Sequence, residues 1–239
     1  MAHRGHAAAF PENSLPALTD ALHRGAAWVE VDVQLSADRV PVLCHDPTLV
    51  RTAGVQAAPW DYAWDELSTI EVAEIARFGE RFRGVFLPSL ADAVAVVARW
   101  PETGVFVEIK RHSLEHFGHD AVVDAVTSVL APIGDRAVPI SFDPICLERI
   151  RTRRGGRIGW VLRQWDENSR ALAESLAPQF LFCNQERIPP AAELWPGPWD
   201  WAIYEIADGA QLRHWRGRGC RLFETMRVAD LIAADEDAG

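Results

Sequence analysis

The chain has 239 residues, 49% hydrophobic and 24% charged, with a formal net charge of −10. The length bounds one large domain or two small ones, and the ordinary composition excludes disordered and fibrous classes. The acidic balance argues against nucleic acid as a partner, whereas a small phosphodiester stays admissible where local cations or a metal override the global field.

The chain opens Met1-Ala2-His3-Arg4-Gly5 with no apolar leader, and no later run approaches the ~18 apolar residues of a membrane span. The four cysteines, Cys44, Cys146, Cys183 and Cys220, are widely separated and form no CxxC, so they read as buried free thiols. These features predict a reducing, cytoplasmic setting and no stable membrane insertion. The acidic terminus Asp235-Glu236-Asp237 reads as solvated and frayed.

In chain order, helical periodicity covers Ser14 to Arg24, with Asn13 placed to cap it and Gly25 to close it. Apolar runs predict strands at Trp28 to Leu35 and Val40 to Cys44. The segment from Val50 to Leu87, with Trp60, Tyr62 and Trp64 and mixed charge, fits neither a strand nor one clean helix. It reads as an insertion after the second strand. Further strands follow at Val105 to Ile109, Ala137 to Phe142, Ile158 to Leu162, Phe180 to Cys183, Trp201 to Ile206 and Arg221 to Phe223. Between and after them helices are predicted at Leu90 to Trp100, Leu114 to Leu130, Pro144 to Thr152, Asn168 to Leu176, Gly209 to Arg216 and Val228 to Ala233. Asp143-Pro144 reads as N-cap and first helical residue, and Arg151-Thr152-Arg153-Arg154 as a solvated helix end. Unbroken strand–helix alternation without a linker indicates one parallel α/β domain over 1–239.

Chemistry concentrates at apparent strand ends. Glu30 and Asp32 are two residues apart in a strand, so both side chains point the same way. Glu108 and Lys110 repeat the spacing on another strand. Three carboxylates form a hard oxygen set suited to one Mg²⁺ or Ca²⁺. His3 and His45 also lie at strand ends, and phosphodiester cleavage needs one group to take a proton and another to give one. Arg4 offers a planar fork for phosphate oxygens, and the Glu12 carboxylate is placed to orient it.

Together, His3-Arg4-Gly5, Pro11-Glu12-Asn13, Gly25-Ala26, Glu30-x-Asp32, Val42-x-x-His45-Asp46 and Arg51-Thr52 resemble the opening signature of the glycerophosphodiester phosphodiesterase family. The resemblance continues through Leu87-Pro88-Ser89-Leu90, Glu108-Ile109-Lys110 and Ser141-Phe142. It implies a TIM (β/α)8 barrel holding one divalent cation, Mg²⁺ or Ca²⁺, at Glu30, Asp32 and Glu108. It also implies His3 and His45 as the acid/base pair, with Arg4 and Lys110 holding the phosphate. The implied reaction is hydrolysis of a glycerophosphodiester to glycerol 3-phosphate and an alcohol, with water or the neighbouring glycerol hydroxyl as nucleophile. The chain departs from the family at Tyr204-Glu205-Ile206-Ala207, Glu224-Thr225 and Asp92, positions the resemblance places near the alcohol side of the pocket.

The ten tryptophans, Trp60, Trp64, Trp165 and Trp201 among them, are spread along the chain and read mainly as packing residues. Their alternative reading is a lipid-facing surface, which would suit a lysophospholipase D. A non-catalytic barrel binding a phosphorylated metabolite has little need of paired proton-transfer groups. A metal-independent barrel that releases cyclic phosphates would not need the three carboxylates.

Overall fold

The computed structural model describes residues 1–236, and the side chains of the acidic run Asp235-Glu236-Asp237 lie outside the described residues. The strands are β1 Trp28–Leu35, β2 Pro41–Leu43, β3 Gly104–Ile109, β4 Ala137–Ser141, β5 Gly159–Val161, β6 Phe180–Asn184, β7 Asp200–Tyr204 and β8 Leu222–Phe223. They form one sheet in the order β2-β1-β3-β4-β5-β6-β7-β8. Every pairing from β1 through β3 to β8 is parallel.

The ends of this sheet are joined by a segment too short to register as an apolar run. Ala2 bridges in parallel to Val29 of β1 and to Thr225, just beyond β8. Its N–H donates to the Trp28 carbonyl at 2.9 Å, its carbonyl accepts from Glu30 at 2.8 Å, and the His3 N–H reaches the Thr225 carbonyl at 2.9 Å. The fold is therefore TIM-barrel-like, with the first residues as one stave.

The run at Val40 to Cys44 is a strand as expected, but not one of the parallel ring. β2 pairs antiparallel with β1, Val33 opposite Leu43, and stands outside the parallel ring. Only residues 36–40 separate the two strands, which suffices for a hairpin but not for the crossover of a dozen or more residues that parallel neighbours require.

The helices are α1 Leu15–His23, α2 Val50–Ala53, α3 Trp64–Leu67, α4 Ile75–Phe78, α5 Leu90–Ala98, α6 Arg111–Phe117, α7 His119–Leu130, α8 Pro144–Arg154, α9 Glu167–Leu176, α10 Gly209–Gly217 and α11 Val228–Glu236. The expected single helix from Leu114 to Leu130 is two, broken at Gly118 with φ 79° and ψ 157°, a conformation that glycine adopts at no steric cost. Ser14, not Asn13, caps α1 through its Oγ. Asp143 caps α8 as expected. The basic end of α8 is not simply solvated: Arg151 donates to the Leu176 and Ala177 carbonyls and Arg154 to those of Ala137 and Gly134. Among the described residues no helix is long and apolar enough to cross a membrane.

Two apolar layers result from the period-two alternation of the strands. Outward-facing Val29, Val31, Val33 and Leu35 pack with Leu18 and Leu22 of α1, Val94 and Val97 of α5 and Val122 and Val126 of α7. Inside the ring, Phe106, Val138, Ile140, Val161, Phe180, Phe182 and Ala202 form a second cluster against Trp28. Trp28 stacks on Phe106 with centroids 4.4 Å apart. Gly104 makes room for that indole, since a Cβ there would lie 2.2 Å from its ring. Each such side chain contributes roughly 1.5–3 kcal/mol when fully buried. The plug fills the lower barrel, with the Arg157 guanidinium 5.5 Å from the centroids of the Trp28 and Phe180 rings. Trp165, Trp195 and Trp201 pack on one another within the outer layer, in line with the packing reading of the tryptophans.

Candidate active site

The inward face of β1 climbs from Trp28 through Glu30 and Asp32 to Gln34, while β3 climbs from Phe106 through Glu108. Register places Glu30 beside Phe106 and Asp32 beside Glu108. Asp32 and Glu108 thus sit one step above Phe106, with Glu30 level with it, towards the C-terminal ends of the strands, where barrel folds build their sites. Glu30, Asp32 and Glu108 each offer an oxygen, and these atoms lie within 4.8 Å of one another. Lys110 closes the group, its Nζ 2.7 Å from Glu108 Oε1 and 3.1 Å from Asp32 Oδ1.

The loop after the first stave brings the next groups. Arg4 has φ 54°, a left-handed conformation that costs a non-glycine residue about 1–2 kcal/mol. In that conformation its backbone N–H donates to Glu30 Oε2 at 3.0 Å. Its Nη1 donates to Glu12 Oε1 at 3.0 Å, and its Nε lies 3.1 Å from Asp32 Oδ2. Glu12 therefore does orient Arg4. Asn13 has a different task from the helix cap expected of it. Its Nδ2 donates to Asp32 Oδ2 at 2.9 Å and its Oδ1 accepts from the Asp32 N–H at 3.0 Å, which locks the Arg4 loop to β1.

His45 follows β2, so the hairpin carries the second histidine to the first. Its Nδ1 lies 2.7 Å from Asp46 Oδ1, and Asp46 Oδ2 accepts from Arg51 Nε at 2.7 Å. Arg51 in turn donates twice to Glu12, at 2.8 and 2.6 Å. Gln34, the top inward residue of β1, donates to the Cys44 carbonyl at 3.0 Å and also to that of Asp46, fixing the turn that presents His45.

His3, Arg4, His45, Glu108 and Lys110 line one cavity of about 180 Å³, with Ile140, Phe142, Val161 and Phe182 forming an apolar wall. Glu30 and Asp32 lie buried beneath. Of the departures from the family pattern, Tyr204, Glu205 and Glu224 line this cavity. Asp92 does not reach it: its carboxylate accepts from the Ser89 N–H and Oγ in the capping box of α5.

Burial and the neighbouring carboxylates push Glu30 well above the usual carboxylate range. Burial likewise raises Glu108 against the pull of Lys110. Asp32 is buried too, yet Lys110 and Arg4 hold it far below that range. Burial, reinforced by the charge of Arg4, pushes His3 down to about 3, so its imidazole is neutral at neutral pH. Glu30 Oε1 is buried with no hydrogen-bond partner. A crowded all-oxygen set with an unpartnered buried oxygen fits a hard divalent cation.

Sequence reasoning missed the Asp46–Arg51–Glu12 bridge, the clamping role of Asn13 and the carboxylate of Glu224. The first two join segments whose contacts no local pattern announces. Glu224 does follow an apolar strand, as Glu108 ends one, and that position was the available signal.

The fold is TIM-barrel-like, with acidic, basic and imidazole groups gathered at one cavity of the ring. Residues 3–184 match the Glycerophosphoryl diester phosphodiesterase family, and the chain belongs to that family. It is similar to bovine glycerophosphodiester phosphodiesterase 1, 34% identical over 113 residues that span 47% of this chain and 34% of the bovine one. A similar stretch matches the glycerophosphodiester phosphodiesterase of Bacillus altitudinis, 33% identical over 110 residues, 46% of this chain and 44% of that one. The chain thus matches between a third and a half of the length of these curated relatives. Among solved structures, the Oleispira antarctica phosphodiesterase in complex with the product sn-glycerol-3-phosphate superposes with a TM-score of 0.85 at 22% identity, over 98% of this chain and 95% of that one. A putative glycerophosphoryl diester phosphodiesterase from Silicibacter pomeroyi gives 0.86 at 20% identity, over 100% and 92%.

Proposed function

We propose that this chain hydrolyses glycerophosphodiesters to glycerol 3-phosphate and an alcohol. The observation that carries this reading is the convergence of His3, Arg4, His45, Glu108 and Lys110 on one cavity, with Glu30 and Asp32 buried beneath it, from four separate stretches of chain. Family membership and the product bound to the Oleispira neighbour support it.

In this reading Glu30, Asp32 and Glu108 hold one divalent cation, Mg²⁺ or Ca²⁺, which when bound supplies positive charge against the phosphate oxygens. Arg4 engages Glu12 through Nη1 and faces Asp32 through Nε, which leaves the Nη2 hydrogens for a phosphate oxygen. Lys110 uses two of its three donors on Asp32 and Glu108. Of His3 and His45, one takes the proton from the attacking oxygen and the other returns one to the departing alkoxide. With Nδ1 engaged by Asp46, His45 has Nε2 for that exchange. The buried carboxylates and the ammonium and guanidinium among them are set before the substrate arrives, and such preorganised charge is usually the largest catalytic term.

We take residues 1–239 as one domain, with about 50–87 as an insertion beside the mouth. That segment contributes Leu67, Val72 and Leu87 to a small separate core with Val42, Cys44 and Leu49. Four unpaired buried thiols suit a reducing, cytoplasmic setting. A second reading, a lysophospholipase D, draws on a groove of about 440 Å³ beside the cavity, lined by Phe142, Trp160 and Leu172. Phe142 lines both spaces, so an acyl chain would have somewhere to lie.

The test is release of glycerol 3-phosphate from a panel of glycerophosphodiesters, and of acylated glycerol 3-phosphate from lysophospholipids, before and after chelation and with Mg²⁺ or Ca²⁺ returned. Release that stops with chelator and resumes with metal is expected. Turnover of lysolipid but not of glycerophosphocholine would favour the second reading, and no release from any of them would overturn both.

A further inference from the structure

Glu224 follows β8 and lines the same cavity as His3 and Lys110, with its carboxylate grouped with that of Glu30. It is 4% exposed, and its Oε1 is buried with no hydrogen-bond partner. His3 Nδ1 is in the same condition, while His3 Nε2 stands 3.9 Å from Glu30 Oε2. Among the described residues no lysine or arginine side chain pairs with Glu30 or Glu224, whereas Asp32 and Glu108 share Lys110 and Asp32 also faces Arg4. Lys110 and the Arg4 guanidinium therefore pair within the cluster with Asp32 and Glu108, while Glu224 has only the more distant charges of Arg4 and of the Met1 ammonium, which donates to the adjacent Phe223 carbonyl at 2.9 Å. Native interiors leave few polar atoms unpartnered, and a local group of them calls for an ion or an equivalent partner.

We propose that His3, Glu30 and Glu224 form a second cation site that shares Glu30 with the first. One ligand atom from each lies within 4.8 Å of the others. Its donors are one imidazole nitrogen and two carboxylates, a mixed set that favours Mn²⁺ or Zn²⁺ over the all-oxygen preference of Mg²⁺ or Ca²⁺. Two ions bridged by one carboxylate sit about 3.5–4 Å apart in known two-metal sites. A further consequence rests on the function proposed above: an ion holding His3 withdraws that imidazole from proton transfer, so Zn²⁺ inhibits the Mg²⁺-loaded enzyme.

The test uses the full chain and Mn²⁺ alone, with equilibrium dialysis for stoichiometry and electron paramagnetic resonance for spin coupling. Wild type is expected to bind two Mn²⁺ with a coupled spectrum. Glu224→Gln, which preserves side-chain volume, is expected to bind one with an uncoupled spectrum. A saturated wild type holding a single Mn²⁺, or a Glu224→Gln variant still holding two, overturns the second site and leaves the first untouched. A wild type that binds none overturns both.

Discussion

The Glu12→Gln substitution isolates the bridge that ties the two ends of the site together. The Glu12 carboxylate is 5% exposed and accepts three guanidinium N–H groups, one from Arg4 at 3.0 Å and two from Arg51 at 2.8 and 2.6 Å. An amide of the same shape still accepts through its oxygen, but its NH₂ then faces the Arg51 donor that the second carboxylate oxygen had satisfied. Removing one member of a buried ion pair costs about 3–5 kcal/mol. Arg51 is 41% exposed and can recover water, and Arg4 keeps Asp32 at 3.1 Å, so the lower end, about 3 kcal/mol, applies. For a chain of this size each kcal/mol moves the melting temperature by about 2–4 °C, so a fall of roughly 6–12 °C is expected. Calorimetry and urea unfolding with an unchanged m-value would measure it. A Glu12→Gln protein melting within about 2 °C of wild type would refute the view that this carboxylate is a tensioned link rather than a solvated surface group.

Gly5 has φ 75° and a Cβ there would meet Ala17 backbone atoms at 2.6 and 2.8 Å, whereas Gly25, at φ 85°, has nothing within 4 Å. Gly25→Ala should cost only the left-handed penalty of about 1–2 kcal/mol, and Gly5→Ala distinctly more; equal melting curves would contradict the close packing of the Arg4 loop on α1. On glycerophosphodiester turnover, His45→Ala is expected to lower kcat by about 10²–10⁴-fold. Asp46→Asn should lower it less, because the imidazole remains but loses its charged partner; wild-type turnover in Asp46→Asn would remove the orienting role. Burial pushes the Cys44, Cys146 and Cys183 thiols up to about 12 and Cys220 to about 11. The native protein should therefore resist a thiol reagent at pH 8 and titrate as four thiols in denaturant, and rapid native labelling would show that the interior opens.

The parallel core and the charged ladder were both legible because they obey the same period of two. On β1 it gives Glu30 and Asp32 one face, and on β3 it carries Glu108 towards Lys110, so four site residues could be placed before any tertiary contact was known. Contacts between distant segments had no such signature. Asn13 looked like a helix cap, since asparagine before a helix usually is one. The neighbouring Ser14 took that task, and Asn13, at φ 53°, turned both of its amide groups to Asp32. Glu12 was legible as a partner of Arg4, but no local pattern announces its bridge through Arg51 to Asp46.

The count of eight strands held, but the part expected of the second one failed for a reason of geometry. An apolar run measures only whether a segment is buried, and both β2 and the barrel strands are buried. What separates them is connection length: residues 36–40 can close a hairpin but cannot carry a parallel crossover. The place left in the ring goes to residues 1–3, whose hydrogen bonds run to β1 on one side and to the Thr225 carbonyl beyond β8 on the other. That exchange matters chemically. A second barrel strand at residues 40–44 would have left His45 to be placed as another ring residue, whereas the hairpin sets it on a turn held by Gln34. Closure by residues 1–3 brings His3 and Arg4 directly against Glu30. The two histidines meet across β1 because one belongs to the stave that closes the ring and the other to the hairpin that never enters it.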